Sequence, residues 1–509
     1  MNHSESKLIS IRLKIIQALV GLAGFGVLTA CAPLHRSQLP SESAPAGETR
    51  IQRQLSERGY GMFIHFGINT FNQIEWSKGN LPAASYNPTQ LDVDSWIRTA
   101  KAAGFRHVVL VTKHHDGFCL WNSAVTEYDV ASSPVKTDVV DAVAKACRKY
   151  GVQLGLYYSL WDRHEPTYKN KDPQKYVAFM RTQLTELLTR YGSVCEVWFD
   201  GGWDKKREDW DIPGLYQLIH ELQPDCAVTV NHTIGIRTNL NKFSEPKDFA
   251  EGDSIRFWPV DFRTKDPNFA RRDDPKYYEH GGELHYLPFE HTICLSARWN
   301  WFQKKEVVPA RPVDELEEIF YWGTANRNAL LINVPPDQTG RLRDNEVSAI
   351  LQLADRLDIR GGKKPLPARG PDLLANAAVN PTNATAAVDS SIETGWRAAA
   401  TNAANVVLEI TPAAPITFDR LSLVETADMK DLGDGFSQTQ QYRVQRFRIE
   451  ALTQGDWKNI YEGQTIGATL ALNVPRLTAT KLKLTIIEAA GPVGFSHIGA
   501  YDSRDYHRR

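Results

Sequence analysis

At 509 residues the chain is too long for one ordinary domain; roughly 150 residues per domain predicts about three, although one α/β barrel can absorb roughly 250. Apolar residues make up 42% and charged residues 23%, close to globular norms, which excludes a disordered, collagen-like or multi-pass membrane protein. Lysine plus arginine (59) nearly cancels aspartate plus glutamate (60), so no global field favours nucleic acid or an anionic membrane.

The first 31 residues read as an address rather than as part of the fold. Lys7, Arg12 and Lys14 give a positive start, and an apolar run from Ile15 to Leu28 ends in Leu28-Thr29-Ala30-Cys31. A run of this length with small residues at its end predicts a secretory signal, not a spanning helix. The ending resembles the bacterial lipoprotein signal, which implies that Cys31 becomes a lipidated N-terminus. Residues 32–50, rich in Ser, Pro and Ala, then form a tether. The expectation is an exported lipoprotein, periplasmic or at the cell surface, held to a membrane by its N-terminal lipid. The other cysteines (Cys119, Cys147, Cys195, Cys226, Cys294) have no CxxC spacing, so neither a zinc ribbon nor a redox pair is indicated.

From residue 51 to 362, short apolar runs alternate with amphipathic stretches. Residues 61–67 predict a strand, after which Trp96, Ala100 and Ala103 fall at helical spacing and stop at Gly104. His107–Thr112 is the next strand, Thr137–Tyr150 a helix stopped by Gly151, and Gln153–Ser159 the third strand. A helix with Tyr176, Met180, Leu184 and Leu187 on one face follows. Then come strand Val194–Phe199, helix Gly214–Leu222 and strand Ala227–Val230. The pattern blurs over 240–290 and recovers as a helix from Val313 to about Ala325 and a strand at Leu330–Val334. Apolar strands alternating with helices predict a parallel sheet covered by helices, and six or more units favour closure into a (β/α)8-like barrel. No Gly-rich phosphate loop follows the first strand, which counts against a dinucleotide fold. Barrel chemistry sits at strand carboxyl ends. The candidates there are His65, His114-His115, Tyr157-Tyr158, Asp200 and Asn231.

Past Gly361-Gly362-Lys363-Lys364-Pro365 the period changes to two, as in Leu482, Leu484 and Ile486. Residues 371–509 therefore predict a C-terminal β-sandwich, with no acid and base pair of its own.

Three patches carry chemistry: Gly61-Met62-Phe63-Ile64-His65-Phe66-Gly67 with Glu75-Trp76; Thr112-Lys113-His114-His115-Asp116-Gly117; and Val197-Trp198-Phe199-Asp200-Gly201-Gly202. In this order, and with Leu331-Ile332-Asn333-Val334-Pro335-Pro336 behind them, they resemble the α-L-fucosidases of glycoside hydrolase family 29 over residues 55–360. The stretch Asp389-Ser390-Ser391-Ile392-Glu393-Thr394 with Trp396 is similar to the discoidin-like sandwiches appended to such enzymes. The resemblance implies Asp200 as the nucleophile, and fucose contacts from His65, Glu75, His114, His115, Tyr158 and Trp198. Pro288-Phe289-Glu290 resembles the acid/base segment of the subgroup preferring α1,3/4-linked fucose, with Thr292, Cys294 and Asn300 departing from it. This implies Glu290 as the acid/base, with Glu251, Glu279 and Glu283 as rivals; Trp299 is a candidate substrate-binding residue, and the loops around Trp299 and Trp301 are candidates for recognising a branch sugar beyond the fucose pocket. A retaining glycosidase needs two carboxyl groups about 5 Å apart. Asp200, closing an apolar strand and followed by two glycines, suits the first of them.

The expected partner is a fucosylated oligosaccharide or glycoprotein glycan, with no cofactor. His114-His115-Asp116 also admits a metal reading; adjacent strand residues face opposite ways, so the two imidazoles converge only at an irregular strand end, and no HxH or HExxH spacing is present. A metal-dependent hydrolase on the same barrel and a non-catalytic glycan-binding lipoprotein are the alternatives.

Overall fold

The computed structural model describes residues 44–508 except 236–239, 241–249, 267–274, 297–300, 303–308, 390–393, 400–405, 427, 432–437 and 468. Cys31, the expected lipoprotein signal, most of the expected tether and Trp299 lie outside the described residues. Among the described residues no helix is long and apolar enough to cross a membrane.

Eight parallel strands make the barrel: β1 (Tyr60–Ile64), β2 (His107–Lys113), β3 (Gln153–Ser159), β4 (Glu196–Asp200), β5 (Ala227–Val230), β6 (Arg263–Lys265), β7 (Phe289–Cys294) and β8 (Ala329–Asn333). They pair in the order β5-β4-β3-β2-β1-β8-β7-β6. Between β5 and β6 the ring is bridged without a regular ladder: the Val228 N–H donates to the Asp261 carboxylate (2.8 Å), the Asp261 N–H to the Val228 carbonyl (2.8 Å) and the Thr229 hydroxyl to the Phe262 carbonyl (2.8 Å). The predicted barrel is therefore present and nearly closed. The blurred stretch holds β6, the start of β7 and a four-stranded sheet of 234–235, 254–255, 277–280 and 283–286.

Strand pleating sorts the barrel residues into two layers. Phe63, Val109, Tyr157, Trp198, Ala227, Phe262 and Leu331 fill the interior. Their neighbours Met62, Val108, Tyr158, Val197, Phe199, Val228 and Leu330 join the larger core under the helices. That outer layer is built from α1 (Arg50–Arg58), α2 (Val93–Ala102), α3 (Val139–Tyr150), α4 (Pro173–Arg190), α5 (Ile212–Leu222), α6 (Val313–Gly323) and α7 (Asp344–Arg356). The helix ends follow cap chemistry: the Asp138 carboxylate accepts from Asp141 N–H (2.8 Å) and Gly151 in the left-handed region stops α3. Helix α1 closes the floor. Thr49 and Gln52 form a capping box, the Gln52 amide continues to the carbonyls of Asp261 (2.9 Å) and Tyr286 (2.6 Å), and Leu55 enters the interior core.

The period-two region forms two antiparallel sheets, one of five strands (378–380, 406–411, 481–489, 444–453, 456–463) and one of four (396–397, 494–501, 416–425, 470–479), around a core of its own. It meets the barrel at α6. Both Arg369 terminal nitrogens donate to the buried Glu318 carboxylate, one at 2.6 Å, and the guanidinium lies over the rings of Tyr321 (4.7 Å) and Tyr501 (4.6 Å). Stripping one partner from such a pair leaves an uncompensated buried charge. Arg369→Ala should therefore cost about 3–5 kcal/mol in chemical denaturation, whereas Arg360→Ala, on an exposed pair with Asp355, should cost about 1 kcal/mol or less.

Candidate active site

The carboxyl ends of the strands gather one polar layer: His65 after β1, His114 and His115 after β2, Ser159 on β3, Asp200 on β4, Asn231 after β5 and Asn333 on β8. The sequence-predicted set is largely brought together there, for a reason visible in each strand. Asp200 has the same pleat parity as the interior Trp198, so its carboxylate points to the axis. Three donors fix it: Tyr157 hydroxyl to Oδ2 (2.8 Å), Asn231 amide to Oδ1 (2.9 Å) and Gly201 N–H to Oδ1 (2.7 Å). Gly201 must be glycine here. Its φ is +76°, and a Cβ would stand 2.6 Å from the Trp161 Cβ.

His114 and His115 do converge, with ring centroids 4.1 Å apart. The required irregularity is present, a register shift between β2 and β3 at Val111/Lys113. His115 Nδ1 lies 2.7 Å from the Ser159 hydroxyl, which itself donates to the Trp161 carbonyl (2.6 Å). Nδ1 is therefore the donor, and Nε2 is an acceptor 3.7 Å from Asp200 Oδ2. His65 Nδ1 donates to Asn333 Oδ1 (3.1 Å) in the same way. Burial pushes His65 down to about 3 and His115 to about 4, and takes His114 well below the usual imidazole range. All three are neutral at neutral pH, and a neutral imidazole both donates and accepts hydrogen bonds, as pairing with hydroxyls requires.

Aromatic rings form the walls. His114 stacks on Tyr157 (6.0 Å, 12°), and Trp301 stands 5.1 Å from His114 and 5.2 Å from His65. Trp161 sits edge to face with both Trp76 and Trp203 (5.9 Å each), and Trp76 and Trp203 are tilted 34° at 6.3 Å, the three surrounding His115. Trp76 is the most open of them, 46% exposed. Glu75 precedes it, partly buried, with its carbonyl accepting from Asn69 (2.7 Å).

Three expectations are corrected. Tyr158 faces outward, where its hydroxyl donates to Gln183 (2.7 Å) and Lys113 Nζ stands 4.1 Å above its ring. Its neighbour Tyr157 has the interior parity and holds Asp200. Trp198 is fully buried one layer below the mouth, stacked on Tyr157 (5.7 Å, 18°). It supports the floor and does not line it.

The third correction is Glu290. It is the second residue of β7, paired in register with Ala329, the first of β8, so it sits at the amino end of the barrel. Four residue steps, about 13 Å of strand, separate it from Cys294 at the carboxyl end. There it is fully buried with His107, Glu196 and Arg58. Trp198 donates to its Oε1 (3.2 Å), Arg58 pairs with Glu196 (3.1 Å), and His107 Nε2 lies 3.6–3.8 Å from both carboxylates. Burial first, then the charge of Glu196, pushes the Glu290 carboxyl well up. The rivals Glu251, Glu279 and Glu283 belong to the insertion between β5 and β7. Glu251 and Glu283 are exposed, and Glu279 accepts from Ser254 and Gly282. Among the described residues, His107, Glu196 and Glu290 are also the group whose donor atoms converge within 4.8 Å, away from His114-His115-Asp116. Arg58 already supplies positive charge there. Tyr157 was within reach of sequence reasoning, since it shares the inward parity of Ser159 at the end of β3.

A (β/α)8 barrel with a fixed carboxylate among neutral hydrogen-bonding groups and aromatic walls has the features a sugar-hydrolysing enzyme needs. The α-L-fucosidase family model matches residues 72–362. A rice (Oryza sativa subsp. japonica) relative of the α-L-fucosidase 1 type is 30% identical over 97% of this chain and 92% of its own. The Arabidopsis thaliana α-L-fucosidase 1 is 29% identical over 89% and 86%. The crystal structure of a glycoside hydrolase 29 family member from an unknown rumen bacterium superposes with a TM-score of 0.55 at 25% identity, over 90% of this chain and 77% of that one. The chain belongs to the α-L-fucosidase family of glycoside hydrolases. As an enzyme of that class it departs from the sugar-capturing alternative.

Glu290→Gln should leave kcat/KM within about fivefold of wild type, because a residue away from substrate adds no transition-state binding. Its signature should be in stability. The native protein retains a Glu290 proton that the unfolded chain releases above about 4.3, so wild-type stability falls as pH rises from there toward the raised native pKa. The glutamine variant should lose that slope in denaturation measured from pH 4 to 8.

Proposed function

We propose that the protein is a retaining exo-α-L-fucosidase in which Asp200 is the nucleophile. The observation that carries this reading is the Asp200 carboxylate, oriented by Tyr157, Asn231 and Gly201 at the carboxyl end of β4 and facing His115 Nε2. The two histidines His65 and His115 offer unprotonated nitrogens to sugar hydroxyls, and Trp301 offers an apolar wall to the ring and its methyl group. Double displacement then proceeds through a glycosyl ester on Asp200 that water hydrolyses.

The substrate we propose is fucose linked α1,3 or α1,4 in a branched oligosaccharide or glycoprotein glycan. The motive is the sequence likeness of the 288–301 segment to the subgroup with that preference, without the acid/base role of Glu290, which lies at the floor. The collar of Trp76, Trp161 and Trp203, with Trp76 the most open, gives a neighbouring sugar flat surfaces to stack on. The C-terminal sandwich fits a discoidin-like accessory domain on the same grounds of motif likeness. The Leu28-Thr29-Ala30-Cys31 ending supports export and lipid anchoring through Cys31.

Removing the nucleophile should abolish turnover by several orders of magnitude. With Asp200→Gly, added azide should restore turnover of an activated aryl fucoside and give β-fucosyl azide, the product of one inversion; unchanged hydrolysis by this variant would overturn the reading. Hydrolysis of a Lewis-type trisaccharide should outpace that of an unbranched α1,2-fucoside, as a comparison of kcat/KM values tests. Cys31→Ser should move the protein from the membrane fraction to the soluble fraction on fractionation.

A further inference from the structure

With Glu290 at the floor, the mouth still needs a proton donor, and the strand geometry brings a second acidic residue there. On β6, Phe262 just before the strand belongs to the interior core. Arg263 turns outward, its guanidinium 4.7 Å from the rings of Tyr278 and Phe289. Continuing the alternation, Thr264 is inward, Lys265 outward and Asp266, immediately past the carboxyl end, inward. The hydrogen bonds agree. The Asp266 N–H donates to Asn231 Oδ1 (3.0 Å), and the same Asn231 side chain donates through Nδ2 to Asp200 Oδ1 (2.9 Å). One amide therefore ties both acidic residues into one layer.

Asp266 Oδ1 is buried and, among the described residues, has no hydrogen-bond partner. A buried carboxylate oxygen left unpaired is costly; as a carboxylic acid facing a ligand it has a use. Burial, followed by the charges of Asp200 and Glu75, pushes this carboxyl well above the usual range, and its own charge acts on the Tyr157 phenol that holds Asp200. A fixed carboxylate beside a carboxyl kept protonated is the division of labour that retaining hydrolysis requires.

We propose that Asp266 is the general acid and base of this enzyme. The assignment rests on Asp200 being the nucleophile. In the first step an Asp200 oxygen bonds to the anomeric carbon, the glycosidic C–O bond breaks, and the Asp266 proton passes to the departing oxygen. In the second step the Asp266 carboxylate takes a proton from water, the water oxygen bonds to the anomeric carbon, and the ester bond to Asp200 breaks. One water is consumed and both carboxyl groups return to their starting states. Glu75, also at the mouth and within electrostatic reach of Asp266, is the competing donor.

The test compares phenyl and 4-nitrophenyl α-L-fucosides with wild type, Asp266→Asn, Asp266→Ala and Glu75→Gln. A departing phenoxide needs the proton, whereas 4-nitrophenoxide leaves without it. For both Asp266 variants, kcat/KM on the phenyl fucoside should fall about 10²–10⁴-fold, and on the 4-nitrophenyl fucoside by at least about tenfold less. Azide should accelerate Asp266→Ala on the activated substrate and give α-fucosyl azide. The alkaline limb of the wild-type kcat/KM profile, which reports loss of the donor proton, should vanish in Asp266→Asn. Equal losses on both substrates without azide acceleration would overturn the proposal, as would this whole pattern appearing in Glu75→Gln instead. Failure of the underlying reading looks different: Asp200→Gly would then keep its turnover whatever Asp266 does.

Discussion

An eight-strand parallel barrel admits only every second side chain of each strand to its interior, and the site depends on that constraint more than on any single contact. Once Trp198 is inside, Asp200 must be inside two residues later, one layer nearer the mouth. Once Tyr157 is inside, Tyr158 is committed to the helix layer, where it serves the buried Lys113 and Gln183. The parallel arrangement adds direction. Residues early in a strand lie at the floor and those late in it at the mouth, so position within a strand decides whether an acidic side chain can meet a substrate.

The two ends of the barrel use their acidic residues in opposite ways. At the floor, the Arg58 guanidinium pairs with Glu196 and its charge also acts on Glu290, both carboxyl groups being fully buried. Two carboxylates beside one cation cannot both ionise cheaply there, and Glu290 carries the proton. Gly61 is part of the same packing, since a Cβ on it would stand 2.4 Å from the His107 ring. At the mouth, Asp200 receives three donated hydrogen bonds and faces neutral imidazoles. A sugar hydroxyl entering this layer meets groups that have no competing charge to satisfy. Trp198 joins the two ends, stacking on Tyr157 above and donating to Glu290 below.

Most of the architecture was legible in the sequence because its strands are apolar and its helices amphipathic. Runs such as His107–Thr112 and Ala227–Val230 match observed strands to within a residue. The blurred region was not legible, because β6 reads Arg263-Thr264-Lys265, three polar residues, and the outward Arg263 is covered by Tyr278 of the insertion sheet rather than by an amphipathic helix. The segment that hid β6 also hid Asp266. In the site, His65, His114, His115 and Asp200 were readable as polar residues ending apolar strands. Tyr157, Trp198 and Glu290 needed pleat parity and depth. Motif likeness locates the right strand without saying which of two adjacent tyrosines looks inward, or that a glutamate opens its strand instead of closing it.

The account stands on Asp200 forming a bond to the sugar, and covalent trapping tests this most directly. The enzyme should be inactivated with 2-deoxy-2-fluoro-α-L-fucosyl fluoride, digested, and mapped by mass spectrometry. The account predicts a mass gain of one fluorofucosyl group per chain, carried on Asp200 in the peptide containing Trp198-Phe199-Asp200-Gly201. A label on Asp266 or Glu75, or turnover without any trapped ester, would contradict it.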